Sequence, residues 1–378
     1  MVEWKELFET LEQRHVDPVF LRVLIYVYRN QECNVKWNST YSESFPVRNG
    51  VRQGAISSPL FFSLYINDLL IILRNAGFGC HIGGFFVGRL GYADDLLLLS
   101  ASRSGLQVMV DLCQKFTAKK NLMFSTNPDA EKSKTKCIIF SKKQRDLRNV
   151  TSVFLNGDPL PWVQQIKHLG NIMQCDNSMQ VDCTMKRGKF IGKVNSLFQG
   201  LYFADPCVKM KLMTIYVSSF YGSGLWDLFS PVCDRLYRAW NVAVRVGLNI
   251  PATTHRYPVE PLSGTCHAKT LLCSRFLKFT DQLLKSTKPV VRLLARLFMG
   301  DMRTTLGRNL FKIKNGLGNR ECTIANIKRH YRYFPVPDGE LWRLNLLDEL
   351  LENSGKISNV ESFSENNVKM LISAICIS

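Results

Sequence analysis

Two adjacent aspartates, Asp94 and Asp95, stand between Arg89-Leu90-Gly91-Tyr92 and Leu96-Leu97-Leu98-Leu99-Ser100. Apolar arms on either side of a short polar break have the form of a tight β-hairpin, so the chain is expected to hold a sheet with two acids at the turn Ala93-Asp94-Asp95. Neighbouring carboxylates repel each other and lose hydration beside a buried sheet unless a cation accompanies them. A solvated polar turn is the plain alternative. Neighbouring strand residues point to opposite faces, so both carboxylates reach one site only if the turn allows it; otherwise Asp94 reaches it alone. Magnesium, or manganese, fits this supply, because it binds through one or two carboxylates and completes its shell with water and substrate phosphates.

Other elements can be read around the hairpin. Trp4, Leu7, Phe8 and Leu11 fall at helical spacing, and Asp17-Pro18 supplies a cap and a first-turn proline for a helix through about Tyr28. Asn34 to Trp37 and Phe45 to Val47 read as a strand pair. A long helix is expected from Ser58-Pro59 to Asn75, stopped by Gly77. Leu106, Met109, Val110, Cys113 and Phe116 mark one helix face, and Cys137 to Phe140, Val153 to Leu155 and Ile166 to Leu169 mark three strands, the last two joined by a turn at Asn156-Gly157. From about Cys175 helical spacing takes over, with Asp205-Pro206 and Asp234 as start signals. Past Pro335-Val336-Pro337 the balance turns acidic and reads as a peripheral helical tail. The expected class is α+β, an antiparallel sheet with helices on one face over 1–172, a helical region over 173–335, and the tail over 336–378.

Composition narrows the functional classes. Lys and Arg number 49 against 31 Asp and Glu, a formal charge of +18, which points to a polyanionic partner, nucleic acid first and a membrane surface second. With 46% hydrophobic and 21% charged residues the chain can build a core and does not read as disorder. No apolar run approaches the roughly 18 residues of a membrane span, and Met1-Val2-Glu3 lacks the basic start of a signal peptide, so an intracellular protein of nucleus or cytoplasm is expected. The 12 cysteines are scattered and read as free thiols; Cys266-His267 with Cys273 lacks a paired Cys-x-x-Cys, and no zinc site is assigned. Lys132, Lys134 and Lys136, continued by Lys142, Lys143, Arg145 and Arg148, form one basic cluster, and Lys186, Arg187, Lys189 and Lys193 form another. Each is either a nucleic-acid backbone contact or a solvated face.

Tyr92-Ala93-Asp94-Asp95 resembles the signature of reverse transcriptases. Upstream, Asn49-Gly50-Val51-Arg52-Gln53-Gly54-Ala55-Ile56-Ser57-Ser58-Pro59-Leu60-Phe61, running on to Leu64-Tyr65-Ile66-Asn67-Asp68-Leu69, is similar to the preceding motif of the enzymes of non-LTR (LINE-type) retrotransposons. Downstream, Phe124-Ser125-Thr126-Asn127 with Lys132-Ser133-Lys134-Thr135-Lys136, and then His168-Leu169-Gly170, resemble the next two motifs. The resemblance implies an RNA-directed DNA polymerase working on an RNA template, a DNA primer or RNA/DNA hybrid, and deoxynucleoside triphosphates. It assigns Asp94 and Asp95 to magnesium, and Tyr92, Gln53 and Gly54 to the incoming nucleotide and template, with Arg52 a weaker candidate. Lys134, or else Lys132, is assigned to the triphosphate and leaving pyrophosphate. His168, Leu169 and Gly170 would guide the primer end, with a purely structural role the alternative for His168. Lys186, Arg187, Lys189 and Lys193 would track the duplex from a helical thumb.

A two-metal site also needs a carboxylate from an earlier palm strand. The family carries it in an Ala-Phe-Asp segment directly before a helix resembling Trp4 to Leu11, with phosphate-gripping fingers further upstream. Glu3 and Glu6 are the nearby acids and read as surface residues. The expectation is therefore an incomplete palm followed by a thumb-like region, inactive as this chain alone; the alternative is a non-enzymatic nucleic-acid-binding remnant or reused module.

Overall fold

The computed structural model describes residues 2–127, 129, 131–141, 150–254, 259, 262–316 and 370–376. They form two compact units, one of Met1–Ile166 with Cys175–Asn177 and Glu365–Ser378, the other of Lys167–Gln174 with Ser178–Ser364.

The first unit opens with helices α1 (Trp4–Gln13) and α2 (Pro18–Arg29). Asp17 starts α2 because its carboxylate accepts from the amides of Val19 and Phe20, two donors the first turn cannot satisfy. A solvent-exposed ribbon follows, β1 (Glu32–Cys33) paired with β4 (Phe45–Pro46) and β2 (Lys36–Trp37) paired with β3 (Thr40–Tyr41). Helix α3 (Ser58–Asn75) has the expected limits and buries Phe61, Tyr65, Leu69 and Leu73, a four-residue spacing that keeps one face inward. The short hairpin β5 (His81–Ile82) and β6 (Phe85–Phe86) precedes β7 (Arg89–Tyr92) and β8 (Asp95–Ser100). Helix α4 (Arg103–Lys119) then buries Leu106, Met109, Val110, Cys113 and Phe116 against α3 and β8. Strands β9 (Lys136–Phe140), β10 (Val153–Leu155), β11 (Asp158–Leu160) and β12 (Trp162–Val163) complete this stretch.

The main sheet runs β12-β9-β15-β8-β7, where β15 (Met370–Cys376) is the last described element. Only β12–β9 is parallel; β15 is antiparallel to both β8 and β9, and β7 is antiparallel to β8. Strand β8 is buried from Leu96 to Ser100, as a strand paired on both edges and covered on both faces must be. At the end of α4 the Lys120 ammonium lies 2.6 Å from the Glu6 carboxylate and 5.3 Å from the Tyr65 ring, while the Tyr65 hydroxyl donates to the Lys120 carbonyl at 3.0 Å. Asn121 donates to the Glu3 carboxylate at 2.9 Å. Glu3 and Glu6 thus tie α1 to α4, and Glu6 is half-buried rather than a free surface acid.

The second unit begins in the hairpin β13 (Gln165–His168) and β14 (Asn171–Gln174) and continues with α5 (Gln180–Gly200) and α6 (Pro206–Leu212), a π-turn over Met213–Val217 and a 3-10 turn over Ser223–Leu225. Then come α7 (Pro231–Gly247), α8 (Ala268–Leu284), α9 (Pro289–Gly300) and α10 (Thr305–Gly316). Phe190 stacks on Trp240 at 5.6 Å in a core that also buries Trp226, Phe220 and Phe276. Buried Asn309 donates to the Trp226 carbonyl and accepts from the Leu228 amide, joining α10 to that core. Ten cysteines, from Cys33 to Cys273, are free thiols.

Several sequence expectations need correction. Asn156-Gly157 does turn a hairpin, but its second arm is β11, and Ile166 to Leu169 instead feeds the hairpin with β14. Pro159 sits within β11, a residue that discourages a strand reading but is tolerated where no ladder donor is needed. Helix α7 starts at Pro231, where the Ser230 hydroxyl accepts from the Cys233 amide, not at Asp234. Residues 370–376 of the supposed peripheral helical tail form a central strand, because a β-branched, apolar run fits a sheet interior; the rest of that tail lies outside the described residues, as do Lys142, Lys143, Arg145 and Arg148. His267 caps α8, accepting from the Lys269 amide.

A chain ending at residue 369 should leave β8 and β9 with open facing edges. Hydrogen exchange read by mass spectrometry is expected to show those two strands losing protection by about 100-fold or more, with the second unit's helices unchanged. Unchanged protection of β8 and β9 would remove β15 from the sheet.

Candidate active site

The acidic hairpin is tighter than its sequence suggests. Tyr92 pairs with Asp95, so the turn is the two residues Ala93 and Asp94, and Asp95 is the first residue of β8. Ala93 has φ +50°, a conformation that costs an L-residue roughly 1–2 kcal/mol and that glycine normally takes in two-residue turns. Asp94 is exposed at the tip and Asp95 half-buried at the strand start. Tyr92 is exposed beside them. At the other end of β7, burial and then the charge of Arg74 press the Arg89 guanidinium below its ordinary pKa.

Sheet register brings the lysine motif to the same end. Strands β8 and β9 are both antiparallel to β15 and so parallel to each other; Asp95 faces Cys376 and Lys136 faces Ala374 across that shared strand. Two strand spacings and a two-residue stagger put these entry points about 12 Å apart. In the segment leading into β9, Ser133 and Thr135 are buried while Lys132 and Lys134 are exposed. The buried hydroxyls cause this alternation: Ser133 donates to the Thr135 carbonyl at 2.6 Å and Thr135 to the Ser125 carbonyl at 2.9 Å. Lys132 lies 3.5 Å from the Asp129 carboxylate in an exposed pair, so Lys134 is the more available cation.

Gln53 and Gly54 occupy the two central positions of a β-turn closed by the Ala55 amide on the Arg52 carbonyl at 3.2 Å. Gly54 has φ +82° at the third position, as a type II turn requires, so its glycine is explained by backbone geometry. Ser58 donates to the same Arg52 carbonyl at 2.6 Å and locks the turn to the start of α3. Both residues are exposed, and no hydrogen bond among the described residues joins them to Asp94.

The expected primer motif lies on the β13–β14 hairpin, with Leu169 and Gly170 as its turn and His168 half-buried before them. Both turn residues have positive φ, +45° and +78°, the type I′ pattern. The sequence reading missed what holds this hairpin. Asp182 on α5 is buried at 1% exposure, accepting from the Ile172 amide at 3.0 Å, the Trp226 indole at 2.8 Å and the Lys186 ammonium at 2.9 Å. Lys186 in turn donates to Asn171 at 2.7 Å. Lys186 is therefore a part of this internal brace, its head group bonded to Asp182 and Asn171. Arg187 is half-buried, and Lys189 and Lys193 are exposed one helical turn apart. An aspartate at the first turn of a helix, four residues before a lysine, was the available signal.

Among the described residues, no group of three or more His, Cys, Asp or Glu side chains gathers to hold a metal ion. Asp94 and Asp95 match the one or two carboxylates that magnesium takes from protein. They do not by themselves supply a clamp for two ions. Leu169→Asn should stabilise the chain by about 1 kcal/mol in urea unfolding, since asparagine tolerates a left-handed backbone. An unchanged or lowered midpoint would mean that Leu169 is not strained.

Residues 1–173 match the family described as reverse transcriptase (RNA-dependent DNA polymerase). The chain is 26% identical over 233 residues to the Pol polyprotein of type-1 retrotransposable element R1 of Bradysia coprophila, covering 58% of this chain and 22% of that protein. It is 33% identical over 107 residues to the polyprotein of element R2 of Nasonia vitripennis, and 30% over 105 residues to that of R2DM of Drosophila melanogaster, each 28% of this chain and 10% of the relative. The chain thus spans at most about a fifth of the length of these relatives. Motif order, the acidic hairpin and these matches agree in making residues 1–173 similar to the reverse transcriptases of non-LTR retrotransposons.

Proposed function

We propose that the chain carries palm and thumb parts of an RNA-directed DNA polymerase that copies an RNA template onto a DNA primer from deoxynucleoside triphosphates. The observation that carries this reading is the two-residue acidic turn at the end of a buried sheet, with exposed Lys134 leading into the same sheet end. In this reading Asp94 holds magnesium and Asp95 supports it from the strand start. The ion would neutralise charge on the nucleotide phosphates and activate the primer hydroxyl. Lys134 faces the triphosphate and can give a proton to the leaving pyrophosphate. The type II turn at Gln53-Gly54 presents a backbone free of side-chain bulk to the nucleotide and template. Residues 1–172 act as palm and 173–335 as thumb, with exposed Lys189 and Lys193 following the duplex through its phosphates. No described helix is long and apolar enough to cross a membrane, and these substrates locate the work in nucleus or cytoplasm.

A two-ion displacement needs a further carboxylate beside Asp95, where the neighbouring strand instead carries Cys376. We therefore expect the 378-residue chain to bind nucleic acid without extending a primer. That outcome favours the second reading, a nucleic-acid-binding module without chemistry. Primer extension on poly(rA)/oligo(dT) decides: incorporation abolished by Asp94→Ala would show that another acid completes the site.

Two further measurements bear on the reading. Binding to an RNA/DNA hybrid should weaken by about tenfold or more between 50 and 200 mM salt, as counterion release requires, with little dependence on sequence. Salt-independent binding would exclude a phosphate-tracking surface. In a thermal melt, manganese should raise the midpoint of the parent and shift Asp94→Asn less; equal shifts would place the metal elsewhere.

A further inference from the structure

We propose that Tyr221 is a nucleic-acid contact residue, a fixed aromatic platform beside the Leu169-Gly170 turn on which the terminal base of the primer stacks. The inference rests on the primer-end role given to that turn above and adds a residue that no motif marks. Tyr221 is 62% exposed, yet its backbone is held on both sides. Phe220 before it is buried against Phe190 and Trp240 and has φ +38°, a strained conformation for a bulky residue. Gly222 after it has φ +79°, and a Cβ there would lie 1.9 Å from the Asn171 side-chain oxygen, so a side chain there would be strained and would displace Asn171. An exposed ring is thus set on a rigid support, and strain of this kind persists only where surrounding packing over-determines it.

The ring's neighbours give it direction. A Cβ built on Gly170 would meet the Tyr221 ring at 3.4 Å, an ordinary contact distance, so the ring lies against the primer turn. The Lys186 ammonium, held by Asp182 and Asn171, stands 5.8 Å from the ring centroid. A cation fixed beside an aromatic ring strengthens the ring's hold without leaving the charge free for solvent. Lys189 and Lys193 continue from Lys186 at three- and four-residue steps along α5, exposed and positive. A flat aromatic surface at the head of a lysine row matches the end of a nucleic-acid strand: a base for the ring, phosphates for the lysines. An apolar protein partner fits less well, because the charges would be desolvated without acidic partners.

The test uses the full chain with an RNA/DNA hybrid that has a recessed primer 3′ end, and a blunt hybrid of equal length. The parent should prefer the recessed end, and 2-aminopurine at the primer terminus should change its fluorescence on binding. Tyr221→Ala should lower that preference about tenfold, the size of one base–aromatic stack, and erase the fluorescence change, while Tyr221→Phe retains both. Because Tyr221 is exposed, both variants should melt within a few degrees of the parent, so loss of the signal cannot be assigned to unfolding. Affinity for the blunt hybrid should stay within about twofold. If Leu169→Asn lowers the recessed-end preference and Tyr221→Ala does not, Tyr221 is no platform and the turn's role stands. If neither substitution changes it, or the parent shows no such preference, the primer-end reading falls and the platform with it.

Discussion

Strand β8 is hydrogen-bonded along both edges and buried from Leu96 to Ser100, and the first unit is arranged around that constraint. A central strand leaves no room for charge in its interior, so Asp95 can occur only at its first position, where the chain emerges into the turn. The apolar run Leu96–Leu99 and the acids at its head are therefore one feature: the run fixes the strand, and the strand carries the carboxylates to its end. Helices α3 and α4 follow from the same requirement, since Leu96 and Leu98 need a cover and the four-residue spacing of Phe61, Tyr65, Leu69 and Leu73 supplies it. The Glu6–Lys120 pair then closes α1 over the far end of α4.

What the sequence revealed and what it hid divide along the same physical line. Local chemistry was legible: Asp17-Pro18 began a helix, and Ser58 to Asn75 formed one. Non-local pairing was hidden. Strand β15 contacts partners more than two hundred residues earlier, and nothing in Met370–Cys376 specifies β8 and β9 as neighbours. The Asn156-Gly157 turn was correctly placed but given the wrong second arm, because Pro159 masked β11. The hairpin at Gly83-Gly84 was missed although two glycines with positive φ are its ordinary signal.

Within the site, the residues that touch ligands in the proposed reading were easier to find than those that hold them. Asp182 is acidic, sits near a lysine on a helix and resembles any surface ion pair in the sequence. Its importance is that it is buried, with three donors converging on it from a hairpin backbone, an indole and Lys186. Removing one partner of such a pair leaves the other charge buried and unpaired, a far larger loss than an exposed pair would give. The basic cluster on α5 accordingly splits into two kinds of lysine that the sequence could not separate: Lys186 serves the interior, and Lys189 and Lys193 serve the surface.

Three two-residue hairpin turns show where this chain keeps strain. Asn156-Gly157 takes positive φ at both positions with residues that accept it, and it joins two short strands of the scaffold. Leu169-Gly170 has the same pattern with leucine in the place of asparagine, and Ala93-Asp94 sets alanine where glycine is preferred. If turn geometry alone mattered, all three would carry asparagine or glycine at the first position, because each substitution is available at no cost in packing to an exposed side chain. The strained pair are the two turns to which the proposed reading gives a metal and a primer end, and it gives the relaxed one no role. Strain at a turn is held only if its neighbours fix it: Tyr92 and Asp95 close one across a buried strand, and Gly170 against Tyr221, with Asn171 on Lys186, closes the other. The side chain retained at each cost, a small alanine beneath two carboxylates and an exposed leucine beside a fixed tyrosine, is then what the turn exists to present.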